Sequence, residues 1–319
     1  MAAKMKGDGR PIRSSGSYFQ RTWMLYAMLV LPVAFFVIFR YAPMSNIVIA
    51  FKDYNIFRGV WDSDWIWARE GRSAFYWFEQ AFGNPGFVRA LRNTIFLNFL
   101  DLVIGFPAPI ILAILLNELA FKRFKKVTQT IVYLPHFISW IVISGMAVQL
   151  FAPGGGVVNQ LLGELGLGPI QFLGDPSNWI ATFIGIGVWR SMGWGTIIYL
   201  AAITGINSEL YEAAEVDGCG RFGKIWHVTL PGIRPTIVVL LILNLGWMLG
   251  TEFDRYWAML NPVVLPVGDV ISTMVFRVGI RGFQFSLTTA IGLFQSVVSV
   301  IFLLSANFLA KRLGERGIM

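Results

Sequence analysis

The sequence predicts an all-α integral membrane protein with six transmembrane helices and a helical loop on the cytoplasmic side. Three observations predict it. Hydrophobic residues make up 55% of the chain and charged residues 14%, where a soluble domain carries about a quarter charged. The apolar residues fall in long blocks such as 236–244 and 290–304, which leave almost no polar face. A helix apolar nearly all round belongs in lipid or in a core larger than a chain of this length builds. Lysine and arginine, the source of the formal charge of +8, cluster just outside those blocks. That is where topology signals sit, and it disfavours a phosphate-binding face for nucleic acid.

A hydrocarbon core about 30 Å thick takes about 20 mostly apolar helical residues. Six stretches qualify: 23–39, 92–118, 128–151, 179–203, 236–257 and 285–310. A basic leader, 1–22, carries Lys4, Lys6, Arg10, Arg13 and Arg21 ahead of the first stretch. No small-residue cleavage site follows that stretch, so it reads as an uncleaved span. Lys122, Arg123, Lys125 and Lys126 mark the second inner segment, Arg221, Lys224 and Arg234 the third, and Lys311, Arg312 and Arg316 the tail, 311–319. Segment 152–178 has no lysine or arginine. With six crossings the basic segments fall on one side, which puts both termini in the cytoplasm. Residues 41–91 carry Trp61, Trp65, Trp67 and Trp77, suited to a membrane-interface belt on short helices. The single cysteine, Cys219, excludes an intramolecular disulfide, and His136 and His227 lack companions for a metal site. Both histidines read as structural or surface residues.

The longest inner loop, 204–235, is more than a connector. Asn207 or Ser208 can cap a helix whose first turn holds Glu209 and Glu212, favourable at the positive end of the helix dipole. Gly218 and Gly220 end that helix; a second amphipathic run, Arg221–Thr229, is expected to stop at Pro231, with Pro235 fixing entry to the next span. Two short helices on a glycine turn make a knob fit for a groove on a soluble partner. Gly218–Lys224 also matches G-x-G-x-x-G and the start of a P-loop. Both motifs need a preceding β-strand; here a helix precedes, and Ile225 stands where a P-loop has its magnesium-binding Ser or Thr.

Glu212-Ala213-Ala214, then Gly218, then Val228 and Leu230-Pro231, resemble the EAA signature of permease subunits of type I ABC importers. The family has isoleucine where this chain has Val228. Tyr41-Ala42-Pro43-Met44, Ala50–Tyr54, Leu134–Trp140 and Asp269–Thr273 are similar to the LplB-like branch of carbohydrate permeases, associated with complex oligosaccharides, several of them uronate-containing, alginate among them. The resemblance implies the type I ABC importer permease fold in a bacterial cytoplasmic (inner) membrane. It implies a permease domain over 23–310 forming half of the pathway, and a non-catalytic subunit that binds no cofactor itself. The expected partners are a second homologous permease in a heterodimer, two ATPase subunits carrying ATP and Mg, and an extracytoplasmic solute-binding protein. It makes Glu212 the charged contact to the ATPase, with Ala213 and Ala214 allowing close helix approach.

Charged groups inside spans are costly and mark function or pairing. The candidates for the substrate path are Asn98, Asp101, Trp189, Arg190, Trp194, Tyr199, Asn244 and Trp247. Asp101 and Arg190 could neutralise each other, or Arg190 could pair with span five, near Glu252, Asp254 and Arg255. On the functional reading, tryptophans stack on sugar rings, while an arginine fork suits a sugar carboxylate and so an acidic oligosaccharide. Gly246–Gly250 matches G-x-x-x-G, a helix-packing pattern, and Pro107 and Pro109 are expected to bend span two. Two other classes compete. An ion-coupled secondary transporter predicts internal repeats. A membrane-embedded sugar transferase predicts a convergent acidic cluster.

Overall fold

The computed structural model of the protein describes residues 15–250, 252–312 and 314. The basic leader and the tail beyond Arg312 lie almost wholly outside the described residues. The chain divides into two compact units, Met1–Ala74 and Phe75–Met319.

In the first unit, α1 (Ser15–Phe36) runs on through a π turn at Val37–Tyr41 and a short helical stretch to a 3-10 turn ending at Phe51. From Thr22 to Phe51 it is an uninterrupted apolar rod long enough to cross a bilayer, longer than the predicted 23–39. Leu25, Met28, Leu31 and Phe35 are all exposed along it, as lipid-facing side chains are. A small hairpin follows: β1 (Lys52–Asp53) pairs antiparallel with β2 (Asp64–Trp65). The buried Lys52 ammonium holds it shut by donating to the carbonyls of Val60 (2.8 Å) and Trp61 (2.9 Å). Trp65 and Trp67 stack on each other and are exposed, as is Trp61. Trp77 belongs to the second unit, packed against its core.

The second unit is helical throughout. After α2 (Tyr76–Gly83), α3 (Pro85–Leu100) passes through a π turn at Asp101–Gly105 into α4 (Pro107–Glu118). The widened turn sits just before Pro107, which lacks the N–H of a regular helical bond. The predicted third span is broken. α5 (Lys122–Tyr133) ends in a 3-10 turn at Leu134–Phe137, and α6 (Trp140–Leu150) leaves at 103°. Pro135 and extended Ile138 stop the first helix, and Ser139 starts the next by accepting from the Val142 N–H at 3.4 Å. α7 (Val157–Glu164) precedes α8 (Pro176–Thr204), an unbroken helix of 29 residues.

α9 (Ser208–Val216) and a turn of helix at Arg221–Lys224 form the expected hairpin. Its second arm does not stop at Pro231. It passes through a π turn (Ile225–Thr229) straight into α10 (Leu230–Gly246). The Leu230 N–H reaches back to Ile225, a wide turn that leaves Pro231 in the first turn of the next segment, where its missing donor is tolerated. The predicted fifth span ends early, at Gly246; after a break, α11 (Phe253–Met259) is separate. Gly246 and Gly250 therefore do not share a helix face. Gly246 alone serves packing: a methyl there would meet Leu303 of α13 (Phe285–Arg312). A one-turn α12 (Ile271–Val275) lies between α11 and α13.

Among the described residues, four helices are long and apolar enough to cross a membrane, or five with the bent α5–α6 pair. The predicted span 179–203 lies within α8, whose Arg190, Ser191, tryptophans and glycines dilute its apolar character. Two of the unit's hydrophobic clusters frame the site. One, around Trp179, Phe183, Tyr256 and Met259, joins α8 to α11. The other, around Ala113, Leu116, Leu200, Ile203 and Ile233, joins α4, α8 and α10 next to the hairpin.

Candidate functional site: a capped hairpin and a polar cavity

The hairpin is built from short-range chemistry. The Asn207 side chain caps α9 by accepting from the Glu209 N–H at 3.1 Å. At its other end Gly218 takes φ +78°, while the Cys219 N–H bonds the Ala214 carbonyl (2.8 Å) and the Gly218 N–H that of Glu215 (3.0 Å). This pair of bonds closes a helix whose terminal residue adopts the left-handed conformation that glycine tolerates. Lys224 then bonds Glu215 at 2.7 Å across the turn, and the Tyr211 and Thr229 hydroxyls meet at 3.0 Å. The hydrogen bond from Lys224, then its charge, hold the Glu215 carboxyl below the usual glutamate range.

Of the signature residues, Glu212 and Ala213 are exposed, Ala214 and Val228 half-buried, and Leu230 packs beside Ile203 and Ile206. Pro231 is exposed. Among the described residues Glu212 has no hydrogen-bond or ion-pair partner. The hairpin also exposes Leu210, Val216, Phe222 and Trp226. Sequence reading passed these four over, although an apolar residue outside the spans and between glycines and charges is a usable signal for a docking face.

The second place is a polar cavity within the unit. One chamber of about 180 Å³ is lined by Asn98, Asp101, Asn244, Trp247, Glu252 and Arg255. An adjoining chamber of about 320 Å³ is lined by His136, Trp140, Arg190, Trp194, Tyr199 and the shared Asn244, Glu252 and Arg255. Seven of the eight predicted path residues thus meet. Trp189 does not: it faces a separate apolar cavity between α6 and α8. Tyr199 is almost wholly buried in the core near the hairpin. Asn244 spends its amide on the Leu240 carbonyl at 2.8 Å. Asn98 donates to the carbonyls of Met248 (2.8 Å) and Gly250 (3.2 Å) and accepts from the Tyr256 hydroxyl (3.1 Å), so it ties α3 to the break after α10.

Neither pairing expected for Arg190 occurs. Asp101 is held by Arg255 in a two-pronged bond of 2.5 and 3.0 Å. Arg190 lies 4.4 Å over the Trp140 ring and donates from Nε to the Ile138 carbonyl at 3.2 Å. Among the described residues it has no carboxylate partner. The Trp140 indole is itself fixed by donating to Glu252 at 2.7 Å. His136 stacks on Trp194 at 4.6 Å with the rings nearly parallel; it lines the cavity and is no mere surface residue. Among the described residues His227 has no hydrogen bond beyond its own turn, where Nδ1 lies 3.0 Å from the Gly223 carbonyl. Trp140, Glu252 and Arg255 were absent from the predicted path set. Their contribution depends on the 138–139 bend and the 247–252 break, neither of which hydropathy reveals.

A bundle of long apolar helices, a capped hairpin outside them and a polar cavity between them define a membrane transport subunit. Over residues 90–316 the chain matches the family of binding-protein-dependent transport system inner membrane components. It is 42% identical to Protein LplB of Bacillus subtilis (strain 168), covering 94% of this chain and 92% of that protein. It is also 42% identical to the polygalacturonan/rhamnogalacturonan transport system permease protein YteP of the same organism, covering 92% and 89%. A crystal structure of a bacterial alginate ABC transporter, in complex with an alginate pentasaccharide-bound periplasmic protein, contains a chain that superposes with TM-score 0.86 at 39% identity, over 95% of this chain and 99% of that one. The chain belongs to the family of binding-protein-dependent transport system inner membrane components. It is a permease subunit of an ABC sugar importer with the type I permease fold, a non-catalytic part of the machine.

Proposed function

We propose that this permease forms half of a translocation pathway for acidic, uronate-containing oligosaccharides. In this reading α8 is a sixth crossing, the permease domain spans 23–310, and both termini lie in the cytoplasm. The chain pairs with a second homologous permease, receives sugar from a solute-binding protein, and leaves ATP and Mg to two ATPase subunits. The hairpin 207–229 is the coupling element, with Glu212 offered to the ATPase and exposed Phe222 and Trp226 seated in its groove. Free acidic and apolar groups on a rigid, capped knob suit that role.

One observation carries the substrate reading. The Arg190 guanidinium is stacked on Trp140 and, among the described residues, hydrogen-bonded through Nε alone, and the residue lines a cavity that also holds Trp194 and Asn244. An arginine fork without a protein carboxylate, beside aromatic rings, suits a sugar acid. The names of the relatives agree: a polygalacturonan/rhamnogalacturonan permease and an alginate transporter both handle uronate polymers. Uptake by the assembled transporter carrying Arg190→Ala, with uronic and neutral oligosaccharides compared, tests this. Selective loss of the uronic substrate is expected, and equal loss of both contradicts it.

A further inference from the structure

The break after α10 lies at the end of that helix away from the hairpin, and it leaves α11 as a detached half-helix. Its position is set by polar contacts of two kinds. The first kind holds the break itself: Asn98 binds the carbonyls of Met248 and Gly250, and Gln295 of α13 binds that of Leu249. Backbone carbonyls left over where a helix stops at membrane depth need such partners. The second kind holds α11: Arg255 grips Asp101 on the π turn between α3 and α4.

The Arg255 contact has three features that a permanent strut would not need. Arg255 is buried, yet among the described residues its Nε has no hydrogen-bond partner, so this arrangement leaves a charged donor unsatisfied. Its seat exists only because residue 187 is glycine: a methyl there would collide with Nη2. Beyond Asp101, its one further hydrogen bond among the described residues goes to the Phe183 carbonyl at 3.2 Å, and the rest of its surroundings are aromatic faces that hold no fixed geometry: Phe183 at 4.1 Å, Trp140 at 5.3 Å and Tyr256 at 5.9 Å. Both ends of the pair also sit on irregular backbone, a π turn and a detached helix, where small rotations are absorbed locally.

We infer that Asp101 and Arg255 form a breakable latch, with α11 turning on the 247–252 break so that separation of the pair opens the cavity at the end remote from the hairpin. Asn98 and Gln295 serve as the pivot, and Asp101 and Arg255 are positioning residues for the transport cycle. The inference does not depend on which sugar is carried. Because Arg255 and Glu252 line both chambers, movement of α11 would change the cavity wall directly.

Cross-linking tests it without any sugar. In a Cys219→Ser background, Leu102→Cys on the π turn and Asp254→Cys on α11, which flank the pair and leave it intact, are joined by a short thiol-specific bridging reagent. The assembled transporter is treated free of nucleotide and again after trapping with ATP and vanadate. The latch predicts a yield that falls about tenfold on trapping, the mark of a population shift between two states; equal yields overturn it. Gly187→Ala provides a second reading, since it unseats the guanidinium while keeping both charges. It should raise ATP hydrolysis severalfold in the absence of binding protein, by freeing the open state. An assembled Gly187→Ala transporter with the ordinary idle rate overturns the latch as well. If that variant does not assemble, the cross-linking yields alone decide.

Discussion

The hairpin and the cavity are built in opposite ways. Every bond that shapes the hairpin joins residues close in sequence: Asn207 to Glu209, Gly218 to Glu215, Glu215 to Lys224, Tyr211 to Thr229. The cavity is assembled from distant pieces: Asp101 with Arg255, Asn98 with Met248, Trp140 with Glu252, Arg190 with Ile138. A part that must transmit force benefits from a shape fixed by its own sequence. A part that must rearrange around a substrate is better held by long-range contacts that helix motion can make and break.

The sharpest way to break the comparison is to remove the hairpin. Deleting residues 209–229 should abolish both uptake and ATPase attachment, read by co-purification and transport, while the cavity helices still insert. Next in size is the cavity's ion pair. Asp101→Ala leaves the Arg255 guanidinium buried without its anion, a loss of about 3–5 kcal/mol for breaking a buried pair, to be seen as a lowered unfolding temperature of the assembled transporter. Truncating a hairpin residue should cost less. Asn207→Ala removes one cap bond, about 1 kcal/mol, and should speed amide exchange in 208–216 and leave α8 unchanged.

The smallest effect is electrostatic. The folded hairpin lowers the Glu215 carboxyl's pKa, so the unfolded form binds protons more readily. The Glu215–Lys224 contribution is then fully present above the ordinary glutamate range and is lost as pH falls through the lowered value. Both groups sit at the surface, so the change should be slight and should weaken further with salt. It is checked by hairpin amide exchange at falling pH, wild type against Glu215→Gln.

The same contrast explains what the sequence made legible. The capped helix, the glycine turn and the acidic first turn of the hairpin are local rules, and the structure follows them. The exception is Pro231, where a π turn upstream carried the helix through. The apolar spans at 92–118 and 285–310 were readable from hydropathy, and Asn98 and Asp101 in the second span, Arg190 in the fourth and Asn244 in the fifth were readable as polar intruders. Their pairing was not. Whether Asp101 meets Arg190 or Arg255 depends on the 103° bend after Phe137 and the break at 247–252, which place Trp140 under Arg190 and turn Arg255 inward. Trp189 and Arg190 are neighbours in sequence, yet they face different cavities. That divergence follows from about 100° of helical rotation per residue, once the facing helices are known.

The division of labour between the two regions can be read from one ratio, uronic to neutral oligosaccharide uptake in the reconstituted transporter, compared between Arg190→Ala and Glu212→Ala. The account predicts that Arg190→Ala lowers the ratio, whereas Glu212→Ala reduces both uptakes together and leaves it unchanged. An unchanged ratio in Arg190→Ala, or a shifted one in Glu212→Ala, would contradict it.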